Sequence, residues 1–167
     1  MNKITIHLCV VLGMLLIDVT EAAPLMAGAA KVDITDERGP VNDRLYVRAL
    51  VLKSGDTTAV LVSVDAVAIG GIGHIKDNYM PNVRATLQKE LGIPPGNTLF
   101  NASHCHGIVH PDHEARTVQA VKVAMKNLVQ VKAGAGVGQE TRVMENRRLI
   151  LKNGRTVDVR HAYSLPP

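Results

Sequence analysis

The hydrophobic pattern begins with an apolar core, Ile4 to Ile17, behind Lys3 and ahead of the more polar stretch that ends Thr20-Glu21-Ala22. The run is shorter than the roughly 20 residues a spanning helix needs, and its small-x-small close predicts a secretory signal peptide over residues 1 to 22. Past it the pattern changes period. Met26 to Ile34 and Leu45 to Lys53 alternate or run apolar with β-branched residues, and Ser54-Gly55-Asp56 turns the chain into Thr57 to Val67. These predict three strands, the last two forming a hairpin. The third, TTAVLVSVDAV, is apolar on both faces, as expected of a central strand covered on both sides.

Helical spacing then takes over. Met80, Val83, Leu87 and Leu91 recur on one face, Pro81 fits the first turn, and Gly92 with Pro94 and Pro95 supplies the stop. Asn97 to Ser103 predicts another strand. After Pro111, Asp112 is placed to cap a helix carrying the stripe Val118, Val121, Met125 and Leu128. Val131 to Val137 predicts a strand, and Arg142 to Leu151 with Thr156 to Arg160 a hairpin turned by Asn153-Gly154. The order predicts an α/β fold: a mixed β-sheet flanked by helices. Two amphipathic helices are too few to cover a sheet whose core strand is apolar on both sides, so some apolar face and some strand edges should stay open. HAYSLPP adds no closing element. The expectation for residues 23 to 167 is therefore the incomplete N-terminal part of a larger catalytic domain.

Charge and cysteine usage narrow the partners. The formal net charge is +4, becoming +5 without residues 1 to 22, and Lys and Arg fall singly or in pairs. With only 2% aromatic residues there is little to stack on bases, which argues against a nucleic-acid groove and leaves attraction to an anionic membrane surface as the expectation. Loss of the signal peptide removes Cys9 and leaves Cys105 without an internal disulfide partner.

The chemistry gathers in NASHCHGIVHPDHEAR, residues 101 to 116, where four histidines surround Cys105. In extended conformation His104 and His106 would share one face and Cys105 the other. The end of a strand before a helix is also where α/β proteins tend to place ligands. Imidazole suits zinc, yet catalytic zinc needs three protein ligands and an open position. A cysteine nucleophile needs a histidine within hydrogen-bond reach, and neighbouring strand residues point apart, so Cys105 reads as a small apolar group beneath the site. A metal site, a Cys/His pair and a plain polar loop all remain open on this pattern. His110 and His113, separated by Pro111, read as surface residues rather than ligands. Asn101-Ala102-Ser103 spells a glycosylation acceptor but falls in a predicted core strand. Asp33 to Asp36 reads as a turn after the first strand, and Asp65 as either bonded to backbone amides or serving a site.

The succession AGAAKVDIT, YVRALVL, TTAVLVSVDAVAI, NTLFNASHCHG, MENRR and KNG resembles the N-terminal part of the neutral/alkaline, non-lysosomal ceramidase family, over nearly all of the chain past residue 22. Its most specific element is the His-x-His after an apolar strand. The family typically reads His-Thr-His-Ser-Gly-Pro there, and this chain reads HCHGIV; the second element is the pair Asn146-Arg147. The resemblance implies a zinc-dependent amidase that splits N-acylsphingosine, a ceramide, into a fatty acid and a sphingoid base. By position it implies His104 as a zinc ligand, His106 as the histidine assisting the reacting centre and Arg147 as the arginine near the site. It also implies that the remaining ligands, a histidine, a glutamate and a tyrosine, come from a missing C-terminal part, so that this portion alone is inactive. Localisation would be secreted or periplasmic. A non-catalytic secreted α/β protein, a ceramidase-like hydrolase of another amide and a cysteine hydrolase using Cys105 stand beside it.

Overall fold

A computed structural model describes residues 23–142 and 148–158; the expected signal peptide and Arg147 lie outside the described residues. The chain divides into two units, one ending at Lys132 and one beginning at Ala133.

The first unit is a mixed five-stranded sheet with two helices, an α/β fold. Strands β1 (Met26–Asp33), β2 (Tyr46–Ser54) and β3 (Thr57–Val64) form an antiparallel meander. The β2–β3 turn works because Gly55 takes φ +54°, a left-handed conformation that costs glycine little. Helix α1 (Tyr79–Leu91) carries the chain to β4 (Thr98–Ala102), which pairs parallel with β3. A parallel pair needs such a crossover. Gly92, at φ 67°, ends α1 with its N–H on the Gln88 and Leu87 carbonyls. Helix α2 (His113–Lys126) follows, and β5 (Val129–Gln130) adds a short edge beside β1, giving the order β4-β3-β2-β1-β5.

Period-2 alternation sorts the strands into two faces. Val47 and Val51 on β2 and Val60, Val62 and Val64 on β3 are fully buried on the inner face, under Val83 and Leu87 of α1 and Val121 of α2. Burying each such side chain contributes roughly 1.5–3 kcal/mol, so this layer holds the unit together. Helix α2 lies so close to β1 that a Cβ on Gly28 would sit 2.1 Å from the Ala124 carbonyl oxygen. Inside the core, the Tyr79 hydroxyl meets Thr117 Oγ1 at 2.8 Å, and burial pushes its pKa up to about 12.

Four expectations are corrected. The helices cover one face of β3 rather than two, and Leu50, Leu61 and Leu99 on the other face stay exposed. No strand forms at Val131 to Val137, where Gly134 and Gly136 offer no side chains to pack; the short edge strand lies just before it, at Val129–Gln130. Asn101 lies on an edge strand and is exposed, its Nδ2 donating to Ser63 Oγ at 3.2 Å. Asp112 occupies the N-cap position of α2 but makes no side-chain capping bond; its carboxylate instead lies 3.6 Å from His110 Nδ1.

In the second unit, residues 133–142 form no regular element, and β6 (Arg148–Ile150) pairs antiparallel with β7 (Thr156–Asp158). Asn153 Oδ1 accepts the Arg155 N–H at 3.1 Å and Gly154 takes φ +79°, so the Asn-Gly turn forms as its residue types dictate.

Candidate functional site at the end of the fourth strand

Beyond Ala102 the chain keeps following β3. Ser103 N–H donates to the Val64 carbonyl and Cys105 N–H to the Ala66 carbonyl, both at 3.0 Å. Between them His104 departs from the expected extended conformation. Its φ of 61° is the one positive φ at a non-glycine residue among the described residues. A left-handed L-residue costs roughly 1–2 kcal/mol, and its observed compensation is a hydrogen bond. His104 Nδ1 lies 2.8 Å from the Val67 carbonyl oxygen. A carbonyl only accepts, so Nδ1 carries the proton and a neutral ring keeps its lone pair on Nε2.

His106 comes close despite the broken strand geometry. The two imidazole centroids are 5.1 Å apart at 88°, and both residues are exposed. Cys105 is half-buried and packs against the hydrophobic core. The segregation of two imidazoles from one thiol expected from strand alternation thus arises by another route, the left-handed turn at His104.

Two neighbours fix this turn. Asp65, just past β3, accepts the Tyr46 N–H at 3.0 Å, Arg48 Nη1 at 2.8 and 2.9 Å, and the Ser103 hydroxyl at 3.0 Å. Burial alone would raise its pKa, but the Arg48 bonds, the Tyr46 N–H, the Ser103 hydroxyl and the Arg48 charge outweigh it and hold the carboxyl below its usual value. Of the two roles open for Asp65, the structure displays the bonded one, and its partners reach the residue before His104. Gly107 supplies the second constraint: a Cβ there would meet the Leu45 methyls at 2.7 and 2.9 Å. The resembled motif carries serine at this position, and a serine here would require the Leu45 side chain to shift.

The rest of the loop is stitched to the β1–β2 connection. Asp36 N–H donates to Ile108 O at 3.1 Å, His110 N–H to Ile34 O at 2.7 Å, and Thr35 bridges to Val109. The Asp33 carboxylate accepts the Thr35 N–H at 2.7 Å, the turn expected there. His110 and His113 are half-buried rather than surface residues. His113 Nδ1 lies 2.9 Å from the His110 carbonyl, and its ring packs 5.5 Å from that of Tyr79. Both are bound into the loop and its helix, a role the surface assignment missed because Pro111 hid the turn joining them.

A polar cleft of about 610 Å³ borders the loop at His110. Its charges answer one another: Arg38 grips Asp36 at 2.5 Å, Arg44 pairs with Glu37 and, at 3.4 Å, with Asp33, and Arg116 donates to the Asp33 carbonyl at 2.7 Å. The Arg38 guanidinium holds the Asp36 carboxyl far below the usual carboxylate range. The three carboxylates and two of the three arginines are paired within the cleft, while Arg116 reaches a backbone carbonyl, so the set ties the β1–β2 connection together and to α2.

For zinc, the residues present fit in part. Two imidazoles on one tetrahedral zinc, at the usual Zn–N length of about 2.0–2.1 Å, would put their centroids about 5 Å apart, close to the spacing of His104 and His106. Among the described residues no group of three or more His, Cys, Asp or Glu is placed to hold a metal. Arg147 falls outside the described residues. No helix among the described residues is long and apolar enough to cross a membrane. No protein-family model, no curated protein and no solved structure matches the chain.

Proposed function

We propose that His104 and His106 are part of the active site of a secreted, zinc-dependent amidase of the neutral ceramidase type, with an N-acylsphingosine as substrate. The observation that carries this reading is His104. It is held at φ 61° with Nδ1 on the Val67 carbonyl and Nε2 left to a ligand, beside a second imidazole. Left-handed backbone at a histidine is expensive, and such outliers concentrate at functional sites. A backbone carbonyl on the far nitrogen is also the usual way in which a metal-binding histidine is oriented.

In this reading His104 holds the metal and His106 moves a proton at the reacting amide. Bound zinc would supply Lewis acidity toward the amide carbonyl and toward water. Water is added across the C–N bond, so the acyl carbon leaves as a carboxylate and the nitrogen as the free amine of the sphingoid base. An imidazole beside the metal can take the proton from water and deliver it to the departing nitrogen. Arg147 is assigned by resemblance as the arginine near the site. Catalytic zinc needs three protein ligands, so with His104 as the one ligand supplied here the proposal requires at least two more from outside the described residues, in the downstream part that the resemblance implies. The modest positive charge suits approach to an anionic membrane surface, where such a substrate resides.

The test is metal content and hydrolysis, measured on a protein carrying this chain together with that downstream part. His104→Ala should lose zinc and all hydrolysis. His106→Ala should keep zinc and slow turnover by about 10²–10⁴-fold. Stoichiometric zinc in His104→Ala would refute the ligand assignment, and loss of zinc in both variants would make both histidines ligands.

A further inference from the structure

The uncovered face of the sheet has an order that an incidental apolar patch would lack. Strand register sets its side chains in rows. One row is Ala29, Leu50, Leu61 and Leu99; the next toward one end is Ala27, Leu52 and Ala59; the next toward the other end is Lys31, Arg48, Ser63 and Asn101. Leu50 and Leu61 are each 37% exposed and Leu99 61%, and both helices lie on the opposite face.

We propose that this face is a self-association surface, covered by the same face of a second copy of the chain. The occupant follows from the rows. Place a two-fold axis parallel to the strands, between the sheets and midway between β2 and β3. Each row then falls on itself with its strand order reversed. Leu50 of one copy meets Leu61 of the other, Ala29 meets Leu99, and Leu52 meets Ala59. Large residues lie opposite small ones at the flanks, the pairing that lets two layers interdigitate. In the polar row Lys31 falls opposite Asn101 and Arg48 opposite Ser63, so no cation confronts a cation. These cations also have partners in their own copy: Lys31 lies 4.2 Å over the Tyr46 ring and Arg48 is bonded to Asp65.

Size agrees. Strands of 8, 9, 8 and 5 residues about 4.8 Å apart present a footprint of about 480 Å² per copy, about 950 Å² for the pair. That lies just under the size of a stable specific interface and suits a weak dimer, in the micromolar range. The two sheets would lie about 10 Å apart with their helices outside. The β4 edge has no partner strand among the described residues, and face-to-face packing leaves that edge as it is.

Sedimentation equilibrium of the full chain, with and without charges at the paired positions, tests the axis as well as the association. Ala29 and Leu99 lie on strands separated by β2 and β3, so new charges there cannot pair within one copy. Leu99→Glu alone and Ala29→Lys alone should each weaken the dimer at least about tenfold. The double variant should recover most of that loss, because each glutamate would then face a lysine of the other copy. Recovery supports this two-fold arrangement. A monomeric wild type across the micromolar range, equal association in wild type and Leu99→Glu, or a double variant no tighter than the singles would each overturn it. Unchanged far-ultraviolet circular dichroism in the three variants separates a lost interface from a lost fold.

Discussion

Asp65 gives the sharpest test of how the histidine turn is held. Asp65→Ala removes an acceptor that serves three donors, and these differ in worth. The Tyr46 N–H, half-buried beside β1, would be left without a partner, a cost of about 1–3 kcal/mol. The Arg48 pair joins a guanidinium that is 48% exposed to a carboxylate that is 14% exposed, so solvent screening holds it to about 0–1 kcal/mol. The Ser103 hydroxyl is exposed and water replaces its bond. Together these predict a loss of about 1–4 kcal/mol, or roughly 2–16 °C in melting temperature for a chain of this size. Asp65→Asn keeps one acceptor for Tyr46 and should cost about 1 kcal/mol.

The pH dependence fixes the mechanism. The folded pKa of Asp65 lies below its usual 3.8, so the charge-dependent part of its contribution is complete above that value and is lost as pH falls through the lowered folded one. Urea unfolding of wild type and Asp65→Ala should therefore differ most at neutral pH, and in strong acid the gap should narrow to what a protonated carboxyl still contributes by accepting the Tyr46 N–H. Stability within about 0.5 kcal/mol of wild type at neutral pH, the scatter of ordinary surface changes, would refute the three-donor account. A gap that persists unchanged in acid would show that the carboxylate charge is irrelevant.

Other outcomes follow from single contacts. Gly28→Ala puts a methyl 2.1 Å from the Ala124 carbonyl oxygen, so α2 must shift; overpacking of this kind costs about 1–3 kcal/mol by denaturant titration, and an unchanged midpoint would mean that the helix yields freely. Gly107→Ala should likewise displace the histidine turn against Leu45, read as a changed imidazole environment by nuclear magnetic resonance; identical histidine shifts would show that the loop has slack. Cys105→Ala should leave zinc affinity and hydrolysis within a few-fold of wild type in the longer protein and cost mainly stability, since Cys105 packs against the core; a folded variant devoid of activity would revive a thiol mechanism.

Much of the meander was legible because its signals are local. Ser54-Gly55-Asp56 supplies a turn only a flexible residue makes cheaply, and Gly92 ends α1 by the same left-handed freedom. Sheet order was less accessible. TTAVLVSVDAV announces a strand with two apolar faces, but nothing in it says that both helices will settle on one of them. The exposure of Asn101 is decided by its place on the uncovered face of an edge strand, a property of the whole sheet. At the candidate site the residue types carried the clue and the geometry did not. Left-handed backbone at His104 depends on the Val67 carbonyl, a partner from another loop. The His110–His113 bond depends on a turn around Pro111 that helix rules treat only as an interruption.

The parallel pairing of β3 with β4 has a consequence for the order of events during folding. The β1–β2–β3 meander closes through short connections, whereas β4 can dock only after α1 has carried the chain across, and such long closures cost more entropy before any contact repays it. The Cys105 N–H bond to Ala66 and the His104 bond to Val67 both span that junction. The paired imidazoles therefore belong to the late-forming part of the unit, and a partly folded chain presents them as two independent side chains.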